Sequence, residues 1–262
     1  MLPGPLFLNV HMYGIMIAVG LLCAFGVLFY YGKRRGVSPD FLDFLFYDGV
    51  ASIAVGFGSA ALFQAVYNFI EDPSKGFRFN GGITFLGGLI GGATCFLLIF
   101  LFGKRWRKGG SLSEIFALLP CCITIAHAFG RVGCFFAGCC YGKAWDGIFA
   151  VQFPAGSMAP SGYSVHPTQL YEATFLLLLF GVMTFLYLKR GFTHNMSVYL
   201  IGYGIWRFLL EFLRDDHRGE LVQGISPSQF WSLLMVVLGV ALIFVMKYFY
   251  RAPQKATEET IE

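Results

Sequence analysis

One apolar segment, residues 202–216, carries four polar side chains whose types and spacing suit the binding of an anion. The sequence GYGIWRFLLEFLRDD contains, at intervals of four, four and three residues, Tyr203, Arg207, Glu211 and Arg214. At about 100° per residue, these positions fall within an arc of roughly 80° on one helix face. Two arginines against one glutamate leave a positive charge that an anion would neutralise. The alternative is that Arg207 and Glu211 form an ion pair that serves packing alone, while Arg214 extends to the aqueous surface.

A second group of polar residues lies in HPTQLYEA, residues 166–173. His166 precedes a proline, which favours an extended or turn conformation. Gln169 and Glu172 are three residues apart and therefore share a helix face. A carboxylate at this place can hold an arginine or accept hydrogen bonds from the hydroxyl groups of a ligand. Alternatively, Glu172 stabilises the helix dipole as a residue of the first turn.

The stretch AHAFGRVGCFFAGCCYG supplies a third candidate, with His127 and Arg131 four residues apart. Gly130 and Gly133 leave space beside the arginine. A planar guanidinium in such a space is a bidentate donor suited to a phosphate. A single histidine on an apolar helix is more often a packed core residue, so His127 is a candidate only.

These residues lie in a chain with the composition of an integral membrane protein. Of 262 residues, 56% are hydrophobic and only 13% are charged. Apolar runs near the length needed to cross a bilayer recur along the whole chain. We predict an all-α polytopic membrane protein with seven transmembrane helices, in one domain of residues 1–250 followed by a disordered tail, 251–262. The predicted spans are 11–32, 44–70, 83–102, 112–132, 168–188, 196–213 and 226–249.

Basic residues predict the orientation of these spans. Every odd-numbered span is followed by a basic cluster, and the clusters contain Lys33–Arg35, Lys104–Lys108, Lys189–Arg190 and Lys247–Lys255. By the positive-inside rule, the N-terminus lies outside, the C-terminus is cytoplasmic and the three polar groups face outward. The net charge of +4 resides in these clusters, so we expect no nucleic acid partner. The long connection at about 133–167 predicts a small extracytoplasmic cap with a short strand in GIFAVQFPAG.

Three cysteines follow Arg131, namely Cys134, Cys139 and Cys140. Their C-x4-C-C spacing fits no standard zinc pattern and has no second half, so the sequence predicts no metal site. Facing an oxidising exterior, Cys134 can form a disulfide with either of the other two. The alternatives are a thiol that relays a transferred group, or simple packing.

Five sequence motifs, spread over nearly the whole chain, resemble those of the prolipoprotein diacylglyceryl transferases in the same order. They are HMYG, GGITFLGGLIGG, GRVGCFFAGCCYG, HPTQLYEA and GYGIWRFLLEFLRDD. The resemblance implies a transferase of the bacterial inner membrane with its active site toward the extracytoplasmic side. Such an enzyme moves the diacylglyceryl group of phosphatidylglycerol to the lipobox cysteine of a prolipoprotein and releases glycerol phosphate. It needs no metal and no soluble cofactor.

The resemblance also assigns roles to residues. Arg131 and Arg207 are expected to hold the phosphate and stabilise the departing group, with Tyr203 as a further catalytic residue. A separate hypothesis makes His127, one helical turn from Arg131, the catalytic base in place of a histidine that the family usually has elsewhere. Substrate-binding positions are expected at Tyr13, His11, His166, Gln169, Glu172, Glu211 and Arg214.

The chain departs from the family pattern at several positions. Leu86 occupies the usual place of a histidine, and Ala60 or a near neighbour that of an arginine. Cys134, Ala137 and Cys139 replace the usual asparagines and glutamate. Two alternatives follow: the same lipid donor with a non-lipoprotein acceptor, or a non-catalytic phospholipid binder or transporter.

Overall fold

The computed structural model describes residues 11–79, 82, 84–107, 110–215 and 225–258. Within these ranges, seven helices are long and apolar enough to cross a membrane. The helices are α1 (Met12–Arg34), α2 (Pro39–Glu71), α3 (Phe85–Phe102), α4 (Leu112–Ala137), α5 (Thr168–Arg190), α6 (Asn195–Leu210) and α7 (Pro227–Glu258). Each overlaps one predicted span, which confirms the all-α polytopic fold. The orientation of the termini stays a prediction.

The chain divides into two compact units. The first contains the described residues of Met1–Tyr31 and Leu112–Glu262, and the second is Gly32–Ser111. In the second unit, α2 and α3 pack through small residues: a Cβ built on Gly56 would lie 3.1 Å from the carbonyl oxygen of Gly88. The hydroxyl of Ser59 donates to the carbonyl of Gly87 at 2.8 Å. This confirms that the glycine motifs allow close approach of backbones.

The same unit contains two residues that bear on the alternative functions. Leu86 is the second residue of α3, and 40% of its surface is exposed. Asp48 in α2 is buried and accepts a hydrogen bond of 3.1 Å from the hydroxyl of Ser52, one turn along the helix. Its other oxygen, Oδ2, is buried without a hydrogen-bond partner among the described residues.

The first unit contains α4 to α7, the part of α1 up to Tyr31 and the connection between α4 and α5. Helix α1 approaches α4 closely at two glycines. A Cβ on Gly20 would lie 3.0 Å from the carbonyl oxygen of Ala126, and one on Gly133 would lie 3.1 Å from Cδ2 of Tyr13. These glycines therefore bring α1 alongside the end of α4 that carries Arg131.

The connection between α4 and α5 folds into a small cap. Strand β1 (Val151–Gln152) pairs antiparallel with β2 (Ser164–Val165). Phe153 and Val165 are buried together in the core of the cap. The structure confirms the predicted short strand.

Backbone hydrogen bonds tie this connection to the chain that follows α6. The amide of Lys143 donates to the carbonyl of Leu213 at 2.8 Å, and Gly142 forms an isolated antiparallel bridge with Arg214. These contacts draw the chain after α6 into an extended conformation. At Arg214 the backbone has φ −85° and ψ 153°.

One feature of the sixth span differs from the prediction. Helix α6 ends at Leu210 and is followed by a 3-10 turn, Glu211–Leu213. The predicted spacing still pairs Arg207 with Glu211 at 2.8 Å, but it does not extend to Arg214, whose backbone is extended. Helix α7 runs as far as Glu258, and residues 259–262 of the predicted disordered tail lie outside the described residues.

Candidate active site

A fully buried carboxylate, Glu172, lies at the centre of one polar group of the structure, in which it meets Arg131 and Tyr203. It occupies the second turn of α5 and none of its surface is exposed. The hydroxyl of Tyr203 donates to its Oε1 at 2.6 Å. Nε of Arg131 lies 3.1 Å from its Oε2. Three helices, α4, α5 and α6, thus each contribute one side chain, and a buried carboxylate held in this way keeps its negative charge beside a guanidinium.

His127 holds the arginine from the other side. Nε of Arg131 donates to Nε2 of His127 at 3.3 Å, one turn earlier on α4. Because a guanidinium only donates, Nε2 is the acceptor, and the proton of the neutral ring is then on Nδ1. Nδ1 lies 3.3 Å from the hydroxyl of Tyr199. The acceptor nitrogen is therefore already engaged.

A second polar group forms where α6 ends and α7 begins. Nη2 of Arg207 lies 2.8 Å from Oε2 of Glu211 and donates to the hydroxyl of Ser228 at 3.0 Å. The hydroxyl of Ser226 donates to Oε1 of Glu211 at 2.8 Å. Nε of Arg214 lies 3.9 Å from Oε2 of the same carboxylate.

The start of α7 fixes the two serines. The amide of Gln229 donates to the hydroxyl of Ser226, while the amide of Ser226 donates to the side-chain oxygen of Gln229. This reciprocal pair is a capping box, and Pro227 occupies the first helical position. The cap therefore holds Ser226 and Ser228 against the side chains from α6.

The two groups together carry an excess of positive charge. Three guanidinium groups face two carboxylates, which leaves one positive charge over. The charge of Arg207 also acts on Glu172 and Tyr203, so the two groups belong to one electrostatic cluster. Nη1 of Arg207 is buried and has no hydrogen-bond partner among the described residues. A buried donor without a partner is rare, and an anionic ligand would satisfy it.

The three outer cysteines come together through the end of α4. The amide of Cys139 donates to the carbonyl of Cys134, and the amide of Gly138 donates to the carbonyl of Phe135, each at 3.2 Å. Gly138 has φ 72°. This is a Schellman motif with glycine in the left-handed conformation, and it turns the chain back toward the last turn of the helix.

Helix α5 fixes the next residues of the same turn. The hydroxyl of Thr168 donates to the carbonyl of Cys140 at 2.7 Å, and Nε2 of Gln169 donates to the carbonyl of Cys139 at 2.5 Å. Cys140 has φ 64°, a strained conformation for a residue with a side chain. These contacts impose the backbone that directs its thiol.

No disulfide joins the three cysteines, and their sulfur atoms lie within 4.8 Å of one another. Hydrogen bonds from Cys134 and Cys139, followed by the charge of Arg214 and a hydrogen bond from it, lower the pKa of the Cys140 thiol. The thiol of Cys139 donates to the carbonyl oxygen of Cys134 at 3.6 Å, and the neighbouring sulfurs of Cys134 and Cys140 raise its pKa. The predicted disulfide is not formed in this arrangement, and the redox state stays a prediction.

The remaining predicted residues occupy varied positions. Tyr13 lies against Gly133, close enough to Arg131 and the three cysteines to interact with them electrostatically. The ring of His166 stacks on Trp145 in the cap, with centroids 4.2 Å apart, and its burial lowers its pKa. His11 is exposed immediately before α1. Gln169 supports the cysteine turn through its amide nitrogen.

The structure adds residues that the sequence motifs did not identify. Tyr199 stacks on Tyr203, with ring centroids 5.7 Å apart, and contacts His127. It lies one turn before Tyr203, so extending the polar stripe backward would have found it. Ser226 and Ser228 belong to SPSQ, whose serine, proline and glutamine are a recognisable helix start.

Comparison with known proteins identifies the family of this chain. Residues 5–245 match the family model described as prolipoprotein diacylglyceryl transferase. The chain is 32% identical over 242 residues to the phosphatidylglycerol–prolipoprotein diacylglyceryl transferase of Clostridium tetani, covering 92% of this chain and 95% of that protein. It is 34% identical over 248 residues to the second such transferase of Clostridium perfringens, covering 92% of each chain. The transferase of Idiomarina loihiensis is 32% identical over 251 residues, covering 92% of this chain and 89% of that protein.

The match extends from the start of α1 to within α7, so it includes both polar groups and the cysteine turn. With its fold, its arginine cluster and relatives above 30% identity over nearly the whole chain, this protein belongs to the prolipoprotein diacylglyceryl transferase family.

Proposed function

We propose that this protein transfers the diacylglyceryl group of phosphatidylglycerol to a thiol, the lipobox cysteine of a prolipoprotein, and releases glycerol phosphate. The observation that carries the proposal is Nη1 of Arg207, which is buried without a hydrogen-bond partner among the described residues and lies within a cluster of excess positive charge. The lipid phosphate has one negative charge and enters from the bilayer, so it matches this cluster in charge and in route. The relatives from Clostridium tetani and Clostridium perfringens are named as transferases that act between phosphatidylglycerol and a prolipoprotein.

The proposed reaction is a displacement at the glycerol carbon that carries the phosphate. The acceptor thiolate forms a sulfur–carbon bond while the carbon–oxygen bond breaks, and its electron pair stays on the phosphate oxygen. The phosphate thereby changes from a diester with one negative charge to a monoester with a second. Arginines already positioned around it favour the charge that develops.

Individual residues receive roles from their contacts. Arg207 and Arg131 bind the phosphate, and Glu172, Tyr203 and His127 fix the direction of Arg131. His127 is a positioning residue in this scheme, because Arg131 occupies its acceptor nitrogen. Oε1 of Gln169 is buried without a partner among the described residues, and it is suited to accept a hydrogen bond from a headgroup hydroxyl.

The topology is part of the proposal. The basic clusters support an extracytoplasmic N-terminus, a cytoplasmic C-terminus and an outward-facing site in a bacterial inner membrane. A membrane-impermeant thiol reagent tests this with Asp146→Cys in the cap and Lys104→Cys after α3, both at exposed positions. In intact spheroplasts we expect new labelling, above the parent protein, at residue 146 but not at 104. The opposite pattern would reverse the orientation.

Purified protein in lipid nanodiscs tests the activity. With phosphatidylglycerol and a lipobox peptide, we expect equal amounts of glycerol phosphate and diacylglyceryl peptide. A peptide with serine in place of the acceptor cysteine, and phosphatidylethanolamine in place of the donor, are the controls. Glycerol phosphate without lipidated peptide would indicate another acceptor, and neither product would indicate a non-catalytic lipid binder.

A further inference from the structure

We propose that Cys134, Cys139 and Cys140 bind a zinc ion whose fourth coordination position takes the acceptor thiol. The inference rests on the proposed function for the role of the acceptor, whereas the metal site stands on the geometry of the three sulfurs. The sequence spacing alone predicted no metal. Cysteine spacing predicts a zinc site only where the ligands lie on a loop of known type. Here a Schellman motif at the end of α4 folds the C-x4-C-C segment back, so that cysteines with an unfamiliar spacing come together.

The sulfur atoms are close to the separation that zinc requires. Zinc–sulfur bonds of about 2.3 Å in tetrahedral geometry place the sulfurs about 3.8 Å apart. All three lie within 4.8 Å of one another, so side-chain rotation over less than about 1 Å completes the site. All three residues are half-buried, so part of each remains accessible.

The backbone that carries the ligands is fixed before any ion binds. Gln169 and Thr168 hold the carbonyls of Cys139 and Cys140 from α5. The left-handed conformation of Cys140 is one that a non-glycine residue adopts at a cost. Ordering the ligands in advance reduces the entropy that metal binding must overcome.

The surrounding charge suits a thiolate-bound cation. Zinc with three thiolates has one net negative charge. The guanidinium of Arg214 hydrogen-bonds the Cys140 thiol, and the charge of Arg131 acts on Cys134 and Cys140. These two positive charges favour the anionic loaded site. Arg214 also approaches Glu211, and it thereby links the site to the phosphate cluster of Arg131, Glu172, Arg207, Glu211 and Arg214.

A zinc ion would supply the acceptor in its reactive form. Among the described residues of the phosphate cluster, His127 and Glu172 are already held by Arg131, Tyr199 and Tyr203, so neither presents an unoccupied base. Three thiolates leave a tetrahedral ion one open position. The acceptor thiol enters that position, loses its proton to solvent and remains as a thiolate. Its sulfur then forms the bond to the glycerol carbon, and the electron pair of the broken carbon–oxygen bond stays on glycerol phosphate.

Metal content gives the first test, which does not depend on activity. Protein purified with zinc in the growth medium and under reducing conditions should contain about one zinc per chain, measured by plasma mass spectrometry. The variant Cys134→Ser/Cys139→Ser/Cys140→Ser should contain none above background. Cys23 and Cys95, which are half-buried and lie outside the cluster, provide matched controls. The Cys23→Ser and Cys95→Ser variants should each still contain about one zinc per chain. Zinc retained by the triple variant, or wild-type protein with no zinc and two fewer free thiols, overturns the proposal.

Cobalt substitution tests the open position. Wild-type protein reconstituted with Co²⁺ should show sulfur-to-cobalt charge-transfer bands, and these should strengthen when the lipobox peptide is added. The peptide with serine at the acceptor position is the control and should leave the bands unchanged. Bands that do not respond to the cysteine peptide mean a closed structural site and overturn the acceptor role.

Activity at two pH values gives the last test and uses wild-type protein, so folding of a variant is not at issue. A free thiol of pKa about 8.5 is only about 3% ionised at pH 7, so removal of zinc by a chelator should slow lipidation by up to roughly 30-fold. At pH 9.5 most of the thiol is ionised without metal, and the loss should nearly vanish. Equal rates with and without zinc at pH 7 overturn the acceptor role. Absence of product in every preparation, with zinc still bound, would instead contradict the proposed function.

Discussion

Replacement of Arg207 gives the most direct test of the phosphate cluster. The two terminal nitrogens of its guanidinium differ in their contacts. Nη2 contacts Glu211 and Ser228, whereas Nη1 is buried without a hydrogen-bond partner among the described residues. Arg207→Gln removes the charge that the phosphate meets as it gains its second negative charge. Loss of such a donor costs about 2.7–4 kcal/mol of transition-state stabilisation, or roughly 10²–10³ in rate. Arg207→Lys keeps a point charge but loses the fork, and loss of one charge-assisted hydrogen bond of about 1.5–3 kcal/mol predicts a decrease of roughly 10- to 160-fold.

The assay is the initial rate of glycerol phosphate release from phosphatidylglycerol in nanodiscs, measured over a range of donor fractions to separate kcat from KM. We expect most of the loss in kcat, because the interaction strengthens as charge develops. Ser228→Ala is the matched control: it removes the partner of Nη2, leaves Nη1 in place and should cost less than about tenfold. Thermal unfolding in detergent verifies that each variant is folded. Folded Arg207→Gln with the wild-type rate would refute the assignment of this side chain to the phosphate.

Three further predictions follow from single contacts. Tyr203→Phe removes the hydroxyl that donates to buried Glu172 at 2.6 Å. It should lower the free energy of unfolding by about 1.5–3 kcal/mol, measured as a lower unfolding midpoint in detergent. An unchanged midpoint would contradict the contact. His127→Gln keeps an oxygen that can accept a hydrogen bond from Arg131, so we expect less than tenfold loss of transfer rate and an unchanged pH–rate profile. A decrease in rate of roughly 10²–10⁴, with one limb of the pH–rate profile lost, would instead identify His127 as a general base. Gly138→Ala introduces a Cβ 2.8 Å from that of Ser157 at φ 72° and should destabilise the protein by about 1–2 kcal/mol, while Gly181→Ala, with nothing within 4 Å, should not.

The sequence was sufficient to predict the spans and most of the polar residues, because both follow from simple periodicities. A bilayer demands long apolar helices, so hydropathy alone located all seven. The Arg207–Glu211 pair was one of the alternatives that the spacing offered, whereas the pairing of Tyr203 with Glu172 across two helices is a finding of the structure. Polar side chains away from water have to find such partners.

Features set by contacts between distant segments were beyond the sequence. Helical spacing continued α6 through Arg214, whereas backbone pairing with Gly142 and Lys143 draws that residue into an extended conformation. The meeting of three thiols depends on left-handed backbone at Gly138 and Cys140 and on hydrogen bonds from α5. Neither the extended backbone at Arg214 nor the meeting of the three thiols can be predicted from the spacing of residues along the sequence.

The backbone hydrogen bonds between the cap and the end of α6 bear on how the two proposed substrates would meet. The amide of Lys143 donates to the carbonyl of Leu213, so the turn that carries the cysteines and the segment that carries Arg214 share one backbone frame. Under the proposed function, the distance between the acceptor thiol and the lipid phosphate would depend on this frame. A change in the cap would then alter the selection of both substrates without touching a reacting group.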